Sequence, residues 1–382
     1  MMLLEHDAKV LASVHGLRVP AGVMAETIGS ISADRLPPGP WIVKAQVPAG
    51  GRGKAGLIRS AATIDAVKST VQSMLGASHR GHTVKSCRIE ATVAGMREAY
   101  AALIINPAAA AVQVMLSEQG GVEIESIHRD GVVSALVAPD PAAISAAVKH
   151  LTADFKPSAR AAFIDAFAAL TRIMLECEAT LVEVNPLFIA DGGAWIAGDL
   201  KLMIDENALV RRPMLAELVE ARRSAYPEAA LKLATGFDYV EVDPEGTIGL
   251  LTTGAGLSMM LIDELRAMGH RPFNFVDIRT GQFRGNPTRL IQVLSWIARG
   301  PKIKVVLVNV FAGITHLGEF ARLFLEALEA VPDLKMPIVA RLIGNGFDEA
   351  RSIFANETDR VILEQDLDHA IEIAASYTAS KP

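Results

Sequence analysis

The sequence predicts an α/β chain in two parts, and three observations carry that prediction. After Asp243-Pro244-Glu245-Gly246, strands and helices alternate to residue 382, the pattern of a doubly wound parallel sheet. Before that point, β-branched runs over residues 83–137, punctuated by Gly and Asn-Pro turn signals, read as an antiparallel sheet. Between them, a long apolar-striped helix leads into a hairpin, 180–189 and 194–203, turning at Asp191-Gly192-Gly193. The boundary is set at 240/241. Residues 1–240 are expected to be α+β, and residues 241–382 to be α/β.

In chain order, Leu4, Ala8, Leu11 and Val14 fall at helical spacing, and Gly16 ends that helix. Residues 41–47 form a strand, 49–56 a glycine-rich loop, and Leu57 and Ile58 begin a returning strand. A helix is expected over 63–75. A longer one over 158–177 carries Ala162, Ile164, Phe167, Leu170 and Met174 on its buried side. A charged helical connector covers 211–234. The second part offers strands at 247–252, 273–277, 305–310, 337–342 and 361–363, with helices at 257–268, 288–298, 317–329 and 348–355 and a last one beyond.

Composition narrows the function classes. A length of 382 residues exceeds one ordinary core, and 51% apolar with 21% charged residues is globular. Lys and Arg number 37 against 43 Asp and Glu, a net charge of −6, which argues against a nucleic-acid coat or an electrostatic membrane binder. Cys87 and Cys177 lack metal-type spacing and suit a reducing compartment. Glu5, His6 and Asp7 spoil any secretory apolar region near the start, and the most apolar stretch, 305–314, falls short of the ~20 residues of a membrane span. A soluble cytoplasmic protein is expected.

Four constellations could carry chemistry. In Gly50-Gly51-Arg52-Gly53-Lys54-Ala55-Gly56, glycines let backbone N–H groups approach an anion and Arg52 and Lys54 add charge. Ala55 replaces the Ser or Thr of a Walker loop, and a glycine-rich turn with solvated charges accounts for the segment equally well. Glu183 and Asn185 share one strand face. A hairpin centred on Gly192 sets Asn185 opposite Asp199 and Glu183 opposite Lys201, so two oxygen ligands could share Mg²⁺ with nucleotide phosphates. Thr253-Gly254-Ala255-Gly256, with Asp277 closing the next strand, imitates a dinucleotide fingerprint. Met259 stands where its third glycine belongs, which disfavours an NAD enzyme. Last, residues 309–315 end a buried strand in a small-residue loop expected to open a helix toward an anion.

Together these motifs resemble the β subunits of ADP-forming acid–CoA ligases, the succinyl-CoA synthetase family. The resemblance runs collinearly through LEHDAKVL, VKAQVPAGGRGKAG at 43–56, QGGVEIE at 119–125 and VEVNPL at 182–187. It continues through GDLKLMIDENALVRRP at 198–213, TGAGLSM at 253–259 and NVFAGI at 309–314. It implies an ATP-grasp nucleotide-binding part followed by a flavodoxin-like CoA-ligase domain. By the same resemblance Lys44, Gly51, Arg52 and Gly53 contact ATP phosphates, Glu90 to Val93 form the adenine-side hinge, and Glu98 faces the ribose. Asn185 and Asp199 hold Mg²⁺, and Glu183 steadies a catalytic histidine. That histidine, and most of the CoA site, belong to a separate α subunit in an αβ or α₂β₂ assembly. The opening at Gly313, Ile314 and Thr315 aims at the phosphohistidine and the substrate carboxylate, and Thr253 touches that carboxylate.

Departures from the family pattern concentrate on the acyl side. Thr253 replaces an Asn, residues 277–282 replace a glycine-rich run, and Ala312 replaces a glycine, a change associated with malate-using relatives. The loops at 76–84 and 129–133 are short. The expected acid is therefore more polar or bulkier than succinate, with Arg279 a candidate extra contact, although an exposed Arg279 in a drifted loop fits equally. Two rivals stay open: a stand-alone ATP-grasp carboxylate–amine ligase, and a non-catalytic nucleotide-binding subunit. None of the nine histidines falls in a catalytic motif, and His316 is expected at the surface.

Overall fold

The computed structural model describes residues 1–121, 131–279, 285–313, 315–355 and 360–378. They divide into two compact units, Met1–Ala221 and Arg222–Pro382.

The first unit opens with α1 (Glu5–Val14), followed by β1 (Gly22–Ala25), β2 (Trp41–Ala45), β3 (Ile58–Ala61), α2 (Ile64–Met74), the two-residue strands β4 (Ser78–His79) and β5 (His82–Thr83), and β6 (Cys87–Ala91). Its sheet runs β1-β6-β2-β3, all antiparallel. The side chain of Thr63 caps α2 by accepting the Ala66 N–H, and Val67, Val71 and Met74 bury its inner face against Val43 and Ile89 of the sheet core.

A larger sheet follows from β7 (Arg97–Asn106), β8 (Ala111–Ser117), β9 (Val133–Val137), β10 (Ala179–Ile189), β11 (Trp195–Ala197) and β12 (Leu200–Ile204). Its order is β11-β10-β7-β8-β9, with β12 also on β10. The helices α3 (Pro141–Leu151) and α4 (Pro157–Glu176) pack on this sheet, and α5 (Pro213–Ala221) ends the unit. The single antiparallel sheet expected over 83–137 is thus two sheets. Gly95, with φ 71°, lies in the short turn between β6 and β7, and the two strands leave it for different partners. On α4, Phe163, Ala166 and Ile173 are buried while Ile164 is only half-buried, a correction to the expected stripe. The turn at Asp191-Gly192-Gly193 has the anticipated register, with Leu187 opposite Ala197 and Glu183 opposite Lys201. Its return strand is interrupted at Gly198-Asp199, where Gly198 N still donates to Pro186 O at 2.8 Å and Asp199 O accepts from Asn185 N at 3.3 Å.

The second unit holds α6 (Pro227–Thr235), β13 (Tyr239–Glu241), β14 (Ile248–Thr252), α7 (Ala255–Ala267), β15 (Asn274–Val276), α8 (Thr288–Ala298) and β16 (Val305–Ala312). It continues with α9 (Leu317–Ala330), β17 (Ile338–Gly344), α10 (Phe347–Phe354), β18 (Val361–Leu363) and α11 (Leu367–Thr378). Strands β14, β16, β17 and β18 pair in parallel. On the other side of β14 lies β15, held by the buried Asn274 amide, which accepts from Leu250 N at 2.9 Å and donates to Leu250 O at 2.8 Å. β15 itself pairs antiparallel with β13, and the sequence β15-β14-β16-β17-β18 across the unit follows the order of a flavodoxin-like sheet, with β13 outside it. The expected connector at 211–234 is two helices, α5 and α6, that fall in different units. Phe237 and Tyr239 sit in the second unit's core, so that unit starts earlier than 241.

Candidate functional site

The first unit contains a cavity of about 570 Å³ lined by Lys44, Gly51, Arg52, Gly53, Glu90, Val93, Glu98, Glu183, Asn185 and Asp199. These residues come from β2, the loop after it, β6 and the turn beyond, β7, β10 and the break before β12. Residues more than 150 positions apart thus line one cavity, to which both larger sheets of this unit contribute.

Charge at the cavity floor is dense and paired. Lys44 Nζ donates to Glu5 Oε1 at 2.8 Å and to Gly198 O at 2.6 Å, and pairs with Glu90 Oε1 at 2.7 Å. Arg52 donates to Ala45 O at 3.0 Å and to both oxygens of Asp199 at 2.8 and 3.0 Å, and pairs with Glu5 Oε2 at 2.8 Å. Arg88 Nε donates to Glu90 Oε2 at 2.7 Å. Burial disfavours the charged form of Lys44, yet Glu5, Asp199 and Glu90 outweigh it and raise its pKa. Burial likewise opposes ionisation of Glu5, but Lys44, Lys9 and Arg52 hold its carboxyl well below the usual range. Asp199 moves the other way, raised by burial and by the Glu5 carboxylate against the pull of Arg52.

Two of the floor residues, Glu5 and Lys9, were not anticipated as site residues. Both are buried on α1, Lys9 with no exposed surface at all. Their one signal in the sequence is position: Glu5, Ala8, Lys9 and Ala12 share the inward face, and a charged pair four apart on an apolar stripe is uncommon unless it meets partners. Gly198 carries no side-chain signal, since its carbonyl is what acts. A Cβ there would strike the Phe188 ring, so only glycine lets this carbonyl sit where it does.

Asn185 and Asp199 flank one corner of the cavity, joined through Asn185 N donating to Asp199 O at 3.3 Å. The Asn185 side chain accepts from Gly121 N at 2.7 Å and donates to Gly121 O at 3.1 Å. Gly121, φ 93°, is pressed against the Glu98 carboxylate, which occupies the space of a Cβ. An amide oxygen and a carboxylate on facing backbone fit a hard divalent cation whose other ligands are phosphate and water oxygens. Among the described residues no group of three or more His, Cys, Asp and Glu is suited to hold a metal by itself.

The second unit carries the remaining candidates. Thr253 is buried and its Oγ1 accepts from Phe311 N at 2.9 Å, which ties the turn after β14 to the end of β16. Asp277 Oδ1 accepts from Gly254 N at 2.9 Å and Arg279 N at 3.2 Å, so this aspartate braces the turn. Arg279 is exposed, has φ 46° and reaches Asp238 at 3.3 Å. Gly313 is exposed and Thr315 buried, while Ile314 lies outside the described residues, as do 280–284 and most of the 119–125 motif. The helix that follows this loop begins at Leu317, as expected. His316 is its cap and accepts from Gly318 N at 3.3 Å, while Leu317 N is spent on Asn345 O at 2.8 Å. That cap, an imidazole acceptor beside free N–H groups, sets the first turn.

Comparison with known proteins finds an ATP-grasp domain model over residues 2–189 and a CoA-ligase model over residues 251–374. The chain is 35% identical to the β subunit of ADP-forming succinate–CoA ligase from Chloroflexus aurantiacus, over 93% of each chain. It is 32% identical to the corresponding subunit from Desulfurococcus amylolyticus, over 96% of each. Among solved structures, ATP citrate lyase from Methanothrix soehngenii, in complex with citrate and coenzyme A, matches at TM-score 0.79 and 19% identity. That match covers 98% of this chain and 99% of the other, and shows a shared fold.

Proposed function

The chain belongs to the family of ADP-forming succinate–CoA ligase β subunits, and from that premise we propose that it is the nucleotide-binding subunit of an ATP-dependent carboxylate–CoA ligase. Its parts are an ATP-grasp domain and a CoA-ligase domain, and use of ATP with Mg²⁺ goes with that family. The observation that carries the proposal is the convergence of Lys44, Arg52, Glu183, Asn185 and Asp199 on one cavity that also holds the glycine loop.

In this reading Lys44, Arg52 and the N–H groups of Gly51 to Gly53 bind the phosphates. Glu90 to Val93 flank the adenine, and Glu98 lies at the ribose. Asn185 and Asp199 would hold Mg²⁺, which when bound supplies charge neutralisation at the phosphate oxygens. A histidine nitrogen of an α subunit takes the γ-phosphoryl group: a P–N bond forms as the P–O bond to ADP breaks. Glu183 orients that imidazole by accepting its other N–H. A substrate carboxylate oxygen then attacks phosphorus and frees the histidine, and the CoA thiol displaces phosphate from the acyl phosphate. The work of this chain is positioning and electrostatic stabilisation of the transferring group. CoA and the phosphorylated histidine reside mainly on the partner, in a cytoplasmic αβ or α₂β₂ enzyme. No helix among the described residues is long and apolar enough to cross a membrane.

On the acyl side, Thr253, Gly313, Ile314 and Thr315 receive the carboxylate, and Arg279 adds a cation beside the Gly254 turn. The braces from Asp277 to both Gly254 and Arg279 support this placement. The sequence departures at Thr253, 277–282 and Ala312 are what support an acid more polar or bulkier than succinate, of the malate type. Coexpression with an α-type partner, followed by Mg-ATP labelling and ADP release over a panel of acids, tests both levels. The expected results are an acid-labile phosphoprotein on the partner and CoA-dependent ADP release strongest with hydroxylated or substituted acids. Absence of partner phosphorylation would defeat the subunit assignment. A clear preference for succinate would defeat only the acid assignment.

A further inference from the structure

Among the described residues the most heavily shielded charged side chain is Lys9, which does not line the cavity. Its Nζ lies 2.8 Å from Glu5 Oε1, 3.0 Å from Glu90 Oε1, 2.8 Å from Glu90 Oε2 and 2.8 Å from Gly198 O. Lys44 uses three of the same four oxygens: Glu5 Oε1 at 2.8 Å, Glu90 Oε1 at 2.7 Å and Gly198 O at 2.6 Å. Two ammonium groups therefore share one set of acceptors, one reaching it from α1 and the other from the cavity side. An ordinary buried ion pair has no such duplication, and removing one partner leaves the other charge uncompensated.

We propose that Lys9 is a positioning residue for nucleotide binding, a fixed counter-charge that lets Lys44 and Arg52 trade carboxylate partners for phosphate oxygens. This rests on the nucleotide-site reading above. When Lys44 turns to a phosphate, every oxygen it leaves keeps Lys9 as partner. When Arg52 does the same, Glu5 loses a second cation but retains Lys9, and Asp199 is released toward a metal ion. What stays on the floor is Glu5 and Glu90 with Lys9 and Arg88, two charges of each sign, so the exchange strands no buried carboxylate. Without Lys9, Glu5 and Glu90 would hold Lys44 as their nearest remaining ammonium, and the floor would turn more negative toward an incoming polyphosphate. Both effects weaken binding.

The test uses the full chain, titrated with Mg-ATP by calorimetry, with circular dichroism and thermal melting alongside. Lys9→Met is expected to weaken Mg-ATP binding at least tenfold at unchanged stoichiometry of folded protein. Lys9→Arg, which keeps the charge, is expected to stay within about threefold of wild type. In Glu5→Gln/Lys9→Met one charge of each sign is removed, leaving Glu90 with Arg88. That variant is expected to recover most of the lost affinity and serves as the readout should Lys9→Met alone fail to fold. A filler of the core would lower the melting temperature yet leave affinity per folded molecule unchanged. Binding of Lys9→Met within twofold of wild type, or a double variant no better than the single, overturns the proposal. A wild-type chain that binds no Mg-ATP overturns the site reading itself, so the two failures are distinct.

Discussion

Replacing Gly198 with alanine tests whether the cavity floor depends on a backbone carbonyl that no side chain can supply. The added methyl would overlap the ring edge of Phe188, come within 2.8 Å of its Cδ2 and stand 3.0 Å from Pro186 O. Phe188 also lines the cavity, so the ring cannot yield without narrowing it. Overpacking of this kind costs about 1–3 kcal/mol. For a unit of this size that corresponds to a fall of about 2–12 °C in melting temperature. Relief by a backbone shift instead would stretch the 2.6 Å bond from Lys44 and the 2.8 Å bond from Lys9 to this carbonyl, and Mg-ATP affinity would drop with stability. The assay is thermal melting of Gly198→Ala, Phe188→Leu and the double variant, each with and without Mg-ATP. A smaller side chain at 188 makes room for the methyl, so the double variant should be less damaged than the two singles added, with a coupling of roughly 0.5–2 kcal/mol. A Gly198→Ala protein that melts with the wild type, or strict additivity in the double variant, would refute the steric argument.

Three further outcomes follow from other parts of the molecule. Asp199→Asn removes a charged oxygen while Arg52 keeps Glu5 and the Ala45 carbonyl. The chain should fold, and the Mg²⁺ concentration needed for half-maximal nucleotide binding should rise roughly ten- to a hundredfold, as loss of a charged partner worth ~1.5–3 kcal/mol implies. An unchanged Mg²⁺ midpoint would remove Asp199 from the metal site. Hydrogen bonds from Arg211, and after it Arg212, hold the Glu178 carboxyl below its ordinary value of 4.5. A depressed folded-state pKa gives stability that is complete above the unfolded value and is lost as pH falls through the folded one. The advantage of wild type over Glu178→Gln in urea should therefore be constant near neutrality and shrink on acidification below about pH 4.5; an advantage that grows with acid would contradict this. Burial pushes the Cys87 thiol up to about 12, and burial with Glu176 beside it takes Cys177 to about 11. Neither should react with a thiol reagent at pH 8 in the folded chain, and both should react once it is unfolded, whereas rapid labelling of either native thiol would show that the core opens there.

How much of this was legible in the residues depends on the range of the interaction that each feature uses. The Gly192 hairpin was readable because a tight turn and a period of two set which residues oppose each other. Glu183 therefore meets Lys201 as local geometry requires. The alternating second unit was readable for the same reason, its buried parallel strands being continuous apolar runs between helices. The division of residues 83–137 between two sheets was not, since β6 finds its partners at 22–25 and 41–45, and strand periodicity says nothing about which distant strand pairs. The helix start at Leu317 was readable as well, since its apolar periodicity begins there, whereas the His316 side chain that caps it carried no comparable signal.

At the site the division is sharper. Motifs in the sequence determined by themselves the family and the residues of the cavity wall: Lys44, Arg52, Glu183, Asn185 and Asp199 stand in short patterns whose spacing has chemical meaning. Only the tertiary structure decided what lies beneath that wall, namely Glu5 and Lys9 from α1, the Gly198 carbonyl, and the sharing of one set of oxygens by two lysines. The reason is physical. A buried charge is tolerable only through partners that satisfy it, and those partners come from chain segments up to 189 residues apart, brought together where α1 packs on β12 and sends Glu5 and Lys9 to Lys44 of β2 and Glu90 of β6.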